Sequence, residues 1–456
     1  MEDKQTAGFP QPPETPDWAR EALAPVKPPF SAGHKECVLA FLMYLLAYIY
    51  VGYSWWALPL FTAGFLAAGE YLYRDVKRPR ESWIWLGCVV FIAACLAWRN
   101  LHPNEFDSRL PAQTVYEYGI SSVLALLALH ILAVYWLMCR AGRLTGGESS
   151  HLLPLDALYA FILIPFKNFF LRIRCAVFAL KPKKERSVNA GAIAGAVLAA
   201  FVALVLLVLA MTQLSAADDT FSELIDGIRQ LLTPDLDQPW VYRFLTSLPV
   251  GAYLFGLLAG LGRETPEAMR KRGDNALAAL PKLRIVPQSA WTAALAVFSA
   301  VYLIFFFVQG RYLFGAFTRT LPEDFTVAEY ARQGFFELCR VMAINFTLFW
   351  FVTRTARQER KPVRWMAAAL LVESMLFAVV ALSKLALYIS CFGLTPLRVQ
   401  STWLVCVLLF GCGCALYTHL TGRKSMRVWM IFGAVTLAAL CAVSIPILVP
   451  AQEFAG

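Results

Sequence analysis

The chain has 456 residues, of which 59% are hydrophobic, 14% are aromatic and only 16% are charged. Soluble domains average about 45–50% apolar and about 25% charged residues, so this composition excludes an ordinary soluble protein and indicates a polytopic membrane protein. The formal net charge of +10 does not predict a nucleic-acid partner, because Lys and Arg gather in short segments between apolar runs, which is a signal of membrane topology.

The N-terminal residues 1–37 are polar and rich in proline. They lack the short apolar core and small-residue cleavage site of a signal peptide. We therefore expect a disordered cytoplasmic tail.

Apolar runs of about 17–25 residues predict an all-α transmembrane helix bundle. The eleven predicted spans lie near 38–53, 55–73, 83–98, 114–139, 188–211, 243–261, 289–309, 334–353, 365–391, 401–419 and 428–448. The first two are separated only by Gly52, Tyr53 and Ser54, so 38–73 could instead form a tight helical hairpin. The chain then divides into a tail (1–37), a four-span group (38–139), a cytoplasmic loop (140–187) and a seven-span group (188–448).

The Lys and Arg residues fall mainly on one side of this map. Of the 41, the tail and the segments 74–82, 140–187, 262–287, 354–364 and 420–427 hold 31, the opposite side holds eight, and two lie within spans. This bias predicts a cytoplasmic N-terminus and an extracytoplasmic C-terminus.

Two amphipathic segments lie between the predicted spans. Residues 155–180 are apolar but interrupted by Pro165, Lys167 and Arg172, which favours an in-plane segment at the cytoplasmic surface; a broken twelfth span is the alternative. Residues 215–232 have apolar side chains at helical spacing, which favours a short helix on the outer side, with its acidic residues on a solvated face.

The stretch 324–350 drives a charged helix start into an apolar span. Thr326 and Glu329 have the spacing of a capping box, so we interpret Glu329 as structural. Glu337 and Arg340 follow three residues apart, on nearly the same helix face just inside the predicted outer interface. Charged residues within a span cost about 2.5–3.5 kcal/mol each, so they are candidates for a working site.

A short loop makes the next span a neighbour, and it brings Lys384 to a similar depth. We predict that Glu337, Arg340 and Lys384 form one buried cluster, with Asn345, Tyr388 and Arg398 around it, that binds an anion or fixes helix register.

Three further residues are candidates within the predicted spans. Glu373, about three turns nearer the cytoplasm than Lys384, could relay protons or pack as a neutral acid. His130 and Glu117 are weaker candidates; we interpret His130 as a helix–helix contact.

The sequence predicts neither a metal site nor a cofactor. Cys412-Gly413-Cys414 has no nearby histidine or second cysteine pair, and no phosphate loop or dinucleotide fingerprint is present. Nine of the eleven cysteines fall in or beside apolar runs, which predicts packing rather than a disulfide framework.

Two motifs resemble a bacterial multi-pass membrane family catalogued as a domain of unknown function. They are Tyr330-Ala-Arg-Gln-Gly-Phe-Phe-Glu-Leu338 and Leu382-Ser-Lys-Leu-Ala-Leu-Tyr-Ile-Ser-Cys-Phe-Gly-Leu-Thr-Pro-Leu-Arg398, and the family carries Arg or Lys at the position of Lys384. The resemblance is specific over about 320–400. It implies a multi-pass protein of the bacterial inner membrane and supplies no substrate or catalytic residue.

These patterns favour a non-enzymatic membrane component, permease-like or envelope-associated, whose outer charged cluster binds an anionic solute, a lipid headgroup or a protein partner. A membrane sensor acting through a partner is the alternative. An enzyme acting on a lipid-linked substrate ranks last, because no convincing nucleophile accompanies Glu337 or Glu373.

Overall fold

The computed structural model describes residues 34–52, 57–101, 112–173, 175, 199, 203, 210, 239–308, 335–357 and 361–444. Within these residues the regular structure is helical, and the one β-type contact is an isolated bridge between Val286 and Ala356. The helices are α1 (His34–Val51), α2 (Ala57–Leu72), α3 (Glu81–Leu101), α4 (Ala112–Arg140), α5 (Leu153–Ala157), a π-helix (Leu158–Leu163), α6 (Ile164–Lys167), α7 (Pro239–Arg263), α8 (Pro266–Ala279), a 3₁₀ turn (Leu280–Leu283), α9 (Gln288–Val308), α10 (Phe335–Thr355), α11 (Lys361–Phe392), α12 (Pro396–Thr421) and α13 (Met426–Ser444).

Nine of the described helical segments are long and apolar enough to cross a membrane, which confirms an all-helical, multi-pass protein. The predicted spans 83–98, 114–139, 243–261, 289–309, 334–353, 365–391, 401–419 and 428–448 each fall on one of them. Helices α1 and α2 are shorter apolar helices that pack against each other, so the hairpin interpretation of 38–73 stays open. Most of the predicted span 188–211 and all of 215–232 lie outside the described residues, and the total of eleven spans stays a prediction.

The helix ends follow local sequence signals. At the start of α12, Thr395 accepts a hydrogen bond from the backbone N–H of Arg398, and Pro396 occupies the first turn, where its missing N–H costs nothing. Gly393, with φ of 72°, makes the sharp exit from α11, and Gly422, with φ of 73°, ends α12. These residues convert one long apolar region into two separate antiparallel helices.

The first apolar core draws on helices from both ends of the sequence. Helices α1 to α4 pack with the π-helix, α6 and α7, and the last helix, α13, returns to pack on α3. Its fully buried side chains include Met43, Ile92, Trp136, Leu137 and Phe255. In space, therefore, α7 and α13 join the helices that the sequence assigns to the first four-span group.

The second core is formed by α9, α10, α11 and α12, with α11 at its centre. Helix α11 contacts each of the other three and buries one face along most of its length. Contacts of α12 with α13 and α4 join this core to the first. This second core holds most of the charged and polar residues that the sequence marks as candidates.

Segment 153–173 is also long and apolar enough to span a membrane. The sequence favours an in-plane placement for this region, with a broken span as the alternative. The backbone interrupts it with a π-helix and with a turn at residues 168–170. It crosses α7 at two glycines: a Cβ on Gly256 would lie 2.7 Å from the Pro165 carbonyl oxygen, and one on Gly260 would lie 2.5 Å from the Asn168 side-chain nitrogen. Gly256 and Gly260, which form a Gly-x-x-x-Gly motif, thus serve packing between helices of the same chain. The in-plane and the membrane-spanning placements of the segment both stay open.

The described loops rich in Lys and Arg meet at one end of the bundle. Arg427, in the first turn of α13, bonds to Glu81 at the start of α3 and to Glu148 in the loop after α4. The bridge between Val286 and Ala356 joins the segments before α9 and after α10. Loops that carry the predicted cytoplasmic Lys and Arg residues therefore lie at the same end of the bundle.

Candidate functional site

Glu337 and Arg340 form an ion pair on the first turns of α10. The Arg340 Nη2 donates to the Glu337 Oε1 at 2.7 Å. The Glu337 side chain is 60% exposed and the Arg340 side chain is 71% exposed. This differs from the predicted single buried cluster. The three-residue spacing lets the pair close along one helix face, and the exposure of both side chains places it at the surface of the bundle.

Lys384 lies on α11 and is completely buried, with 0% exposure. The buried apolar side chains of the second core on the same two helices include Leu338 of α10 and Ala381 and Leu385 of α11. Among the described residues, the Glu337 carboxylate lies near enough for its charge to act on Lys384. A buried ammonium is costly unless charges or polar groups compensate it, so Lys384 is the least expected charge in this core.

Arg398 and Tyr388 form a separate arrangement at the end of α11. The Arg398 guanidinium donates to the carbonyl oxygens of Phe392 and Gly393, both at 2.6 Å. It also lies 4.3 Å from the centre of the Tyr388 ring. Arg398 thus satisfies carbonyls that a helix end leaves without intrahelical partners, which is a structural task.

Asn345 lies one layer further from the outer end of α11 and joins three helices. It is fully buried; its Oδ1 accepts from the Tyr302 hydroxyl at 2.6 Å, and its Nδ2 donates to the Ser374 Oγ at 2.8 Å. Ser374 in turn donates to the Leu370 carbonyl oxygen at 2.9 Å. This chain pins α9 and α10 to α11, because each buried polar group in it has a partner.

Glu373 lies beside this chain and is not part of it. The Ser299 hydroxyl of α9 donates to the Glu373 Oε2 at 3.3 Å, and the Glu373 side chain is half-buried between α9 and α11. In the structure Asn345 bonds to Tyr302 and Ser374, whereas Glu373 bonds to Ser299.

The residues predicted as one cluster therefore occupy separate layers. The exposed pair Glu337–Arg340 and the buried Lys384 lie closest together, Arg398 and Tyr388 close the end of α11, and Asn345 belongs to the inner polar layer. The predicted capping pair, Thr326 and Glu329, lies outside the described residues.

The weaker candidates hold helix contacts in the first core. The His130 Nδ1 lies 2.6 Å from the Leu126 carbonyl oxygen, and its ring contacts Tyr50 and Phe61 edge-on or tilted. Glu117 is buried where α4 meets α12, and in the same turn Ser121 accepts a hydrogen bond from Gln400 at 2.6 Å. These contacts agree with the interpretation of His130 as a helix–helix contact.

A second charged region, which the sequence did not predict, lies at the end of the bundle where the basic loops meet. The buried Glu81 accepts from the Ser149 backbone N–H at 2.8 Å and from the Arg427 Nε at 2.9 Å. Glu70 pairs with Arg140 at 2.8 Å. Acidic residues at span ends opposite basic loops were the available signal, but their partners are distant in sequence.

The buried Asp156 anchors the same region. Its Oδ1 accepts from both the backbone N–H and the hydroxyl of Thr145, at 2.8 and 2.7 Å. In the adjacent loop, burial lowers the pKa of His151, and the nearby positive charges of Arg354 and Lys424 lower it further. Within the described part of the chain, no group of three or more His, Cys, Asp or Glu side chains could hold a metal ion.

Comparison with known proteins gives one match. A family model described as a domain of unknown function (DUF4153) matches residues 84–455. No curated protein and no solved structure matches the chain. The match covers α3 to α13 and names no ligand, cofactor or reaction.

Proposed function

The chain belongs to the DUF4153 family and is an integral membrane protein of undefined activity, and we propose that it is a non-enzymatic, permease-like or envelope-associated component that binds an anionic group beside Lys384. The resemblance of the 320–400 motifs supports a place in the bacterial cytoplasmic membrane. In this proposal the basic loops face the cytoplasm and the Lys384 end of α11 faces the opposite side, following the distribution of Lys and Arg.

The observation that carries the proposal is the complete burial of Lys384 in an apolar core. The carboxylate whose charge acts on it, Glu337, is already bonded to Arg340 at 2.7 Å. These three residues carry two positive charges and one negative charge. An anion between α10 and α11 would interact with both cations.

The chemistry that fits is a phosphate or another compact oxyanion. Lysine is a compact cation with three donors, and arginine adds a planar fork that matches phosphate oxygens. The exposed Arg340 lies where a phospholipid headgroup could reach it, while Lys384 lies deeper on the neighbouring helix. A lipid headgroup and a free phosphate share this chemistry, and the experiment separates them.

The test is the thermal stability of the purified full-length protein in detergent, followed by tryptophan fluorescence. Tm is measured after adding phosphatidylglycerol, phosphatidylcholine or inorganic phosphate to the wild type, Lys384→Met and Lys361→Met. Lys361 is the matched control, because it lies exposed at the first residue of the same helix. A ligand that binds only the folded state raises Tm.

We expect phosphatidylglycerol to raise the Tm of the wild type and of Lys361→Met more than phosphatidylcholine does, and Lys384→Met to lose that difference. A shift with inorganic phosphate alone would assign the site to a free anion instead of a lipid. An equal response in Lys384→Met, or no anion response in the wild type, would overturn the proposal.

A further inference from the structure

Glu373 and Lys384 lie eleven residues apart on α11, which is about three turns and about 16 Å along nearly one helix face. Lys384, together with the Glu337–Arg340 pair, forms what we call the outer charged layer. Glu373 belongs to an inner layer with Ser299 of α9. The side chains between these layers determine whether the two ionisable groups communicate.

Aromatic side chains fill the space between the layers. Phe377, one turn from Glu373, is 1% exposed. Its ring centre lies 4.5 Å from that of Phe306 and 5.1 Å from that of Tyr302, both on α9. Ala378 and Ala381 next to it are also fully buried. This outer seal is apolar and close-packed.

A second apolar layer lies on the other side of Glu373. It contains Leu295 of α9, Val352 of α10, and Val363, Ala367 and Leu370 of α11, all buried. Trp291 packs against this inner seal and donates to the Thr355 hydroxyl at 3.0 Å. Glu373 thus lies between an outer apolar layer formed by α9 and α11 and an inner one formed by α9, α10 and α11.

The neighbouring hydrogen bonds do not carry a proton away from Glu373. Tyr302 donates to Asn345, Asn345 to Ser374 and Ser374 to the Leu370 carbonyl, so the chain ends at a backbone acceptor. Its effect is to hold the Tyr302 ring against Phe377. Around Glu373, α9 contributes Ser299 and the titratable Tyr302, α10 contributes uncharged Asn345, and α11 contributes Ser374 and, three turns away, Lys384.

We propose that Glu373 is a proton-binding site, closed toward the outer charged layer by the seal around Phe377. A carboxyl group among apolar helices costs least in its neutral, protonated form, and Ser299 provides the hydrogen-bonding partner. Proton binding at Glu373 goes beyond the proposed function and does not depend on an anion bound at Lys384.

Carbodiimide labelling of the full-length protein in liposomes tests the proton and the seal separately. The membrane-soluble reagent dicyclohexylcarbodiimide modifies protonated carboxyls, and mass spectrometry of peptides locates the label. Glu337 is the internal control, because it is exposed and paired with Arg340. We expect Glu373 to be labelled at neutral pH at a rate at least about tenfold that of Glu337, and the label to disappear in Glu373→Gln; a tenfold rate ratio corresponds to about 1.36 kcal/mol.

A water-soluble carbodiimide tests the seal. Its reaction with Glu373 is expected to be slow in the wild type and at least about tenfold faster in Phe377→Ala, again equivalent to about 1.36 kcal/mol. Leu376→Ala is the matched control, since Leu376 is an exposed neighbour on the same helix. Phe306→Ala opens the same seal and keeps the test available if Phe377→Ala fails to fold.

An unlabelled Glu373, or labelling no faster than that of Glu337, would overturn the proton site. Equal labelling by the water-soluble reagent in the wild type and Phe377→Ala would overturn the seal. The lipid response of Lys384 is measured independently, so its failure would leave both of these results interpretable.

Discussion

Replacing Glu81 tests whether the ion pair between Glu81 and Arg427, at the basic end of the bundle, holds α13 against α3. Arg427 contacts two carboxylates of contrasting burial: Glu81, whose side chain is 3% exposed, and Glu148, whose side chain is 59% exposed. The two distances are nearly equal, 2.9 and 2.8 Å. Glu81→Ala and Glu148→Gln therefore compare a buried and an exposed partner of one guanidinium.

The expected magnitude follows from the bonds that each change removes. Glu81→Ala removes the acceptor of Arg427 and that of the buried Ser149 N–H. Removing one partner of a buried ion pair costs about 3–5 kcal/mol. Because Arg427 is 42% exposed and keeps Glu148, we expect the lower end, about 3 kcal/mol. Glu148→Gln is expected to cost less than about 1 kcal/mol.

The assay is unfolding in mixed micelles, monitored with a thiol-reactive fluorogenic dye. Cysteines report well here, since Cys88, Cys139, Cys412 and Cys441 are buried and react when the helices separate. Glu81→Gln is the intermediate variant, because its remaining amide oxygen can still accept from Ser149. The reasoning is refuted if Glu81→Ala unfolds like the wild type, or if Glu148→Gln is as destabilising as Glu81→Ala.

Further predictions concern close helix packing and pH. Gly256→Ala places a Cβ 2.7 Å from the Pro165 carbonyl oxygen and is expected to destabilise the protein, whereas Gly413→Ala meets nothing within 4 Å and is expected to stabilise its helix by about 1 kcal/mol; the dye assay compares them. Because the pKa of His151 is lowered in the folded protein, the unfolded chain binds more protons below about pH 6.5, and stability should fall as pH drops through that range. His151→Gln should flatten this pH profile of unfolding, and an unchanged profile would contradict the assignment.

Span positions were predictable because each depends on a local run of apolar residues. The gap between α11 and α12 likewise follows from Gly393 and Pro396, which specify their own backbone geometry. Pairing between distant elements was not predictable in this way. Glu81 and Arg427 are far apart in sequence, and their contact requires α13 to return to α3.

The candidate site shows the same division between local and distant information. The spacing of Glu337 and Arg340 predicted their contact, and the structure places them in an ion pair. Whether that pair faces α11 or the bundle surface depends on how α10 rotates against its neighbours, which the spacing alone does not determine. The hydrogen bonds of Asn345 and Glu373 depend on α9, where the Tyr302 hydroxyl donates to Asn345 and the Ser299 hydroxyl donates to Glu373.

The structural tasks of most charged residues narrow the search for functional ones. Arg398 bonds to carbonyls at a helix end, Arg140 pairs with Glu70, and Glu81 bonds to the Ser149 backbone and Arg427. Each lies where a helix ends, and there ionic and backbone groups compensate one another. Lys384 and Glu373 instead lie inside α11, away from both of its ends. Packing alone would favour apolar side chains at both positions. A functional role of Lys384 is therefore best tested by loss of the anion response, and one of Glu373 by loss of proton-dependent labelling, and not by loss of stability.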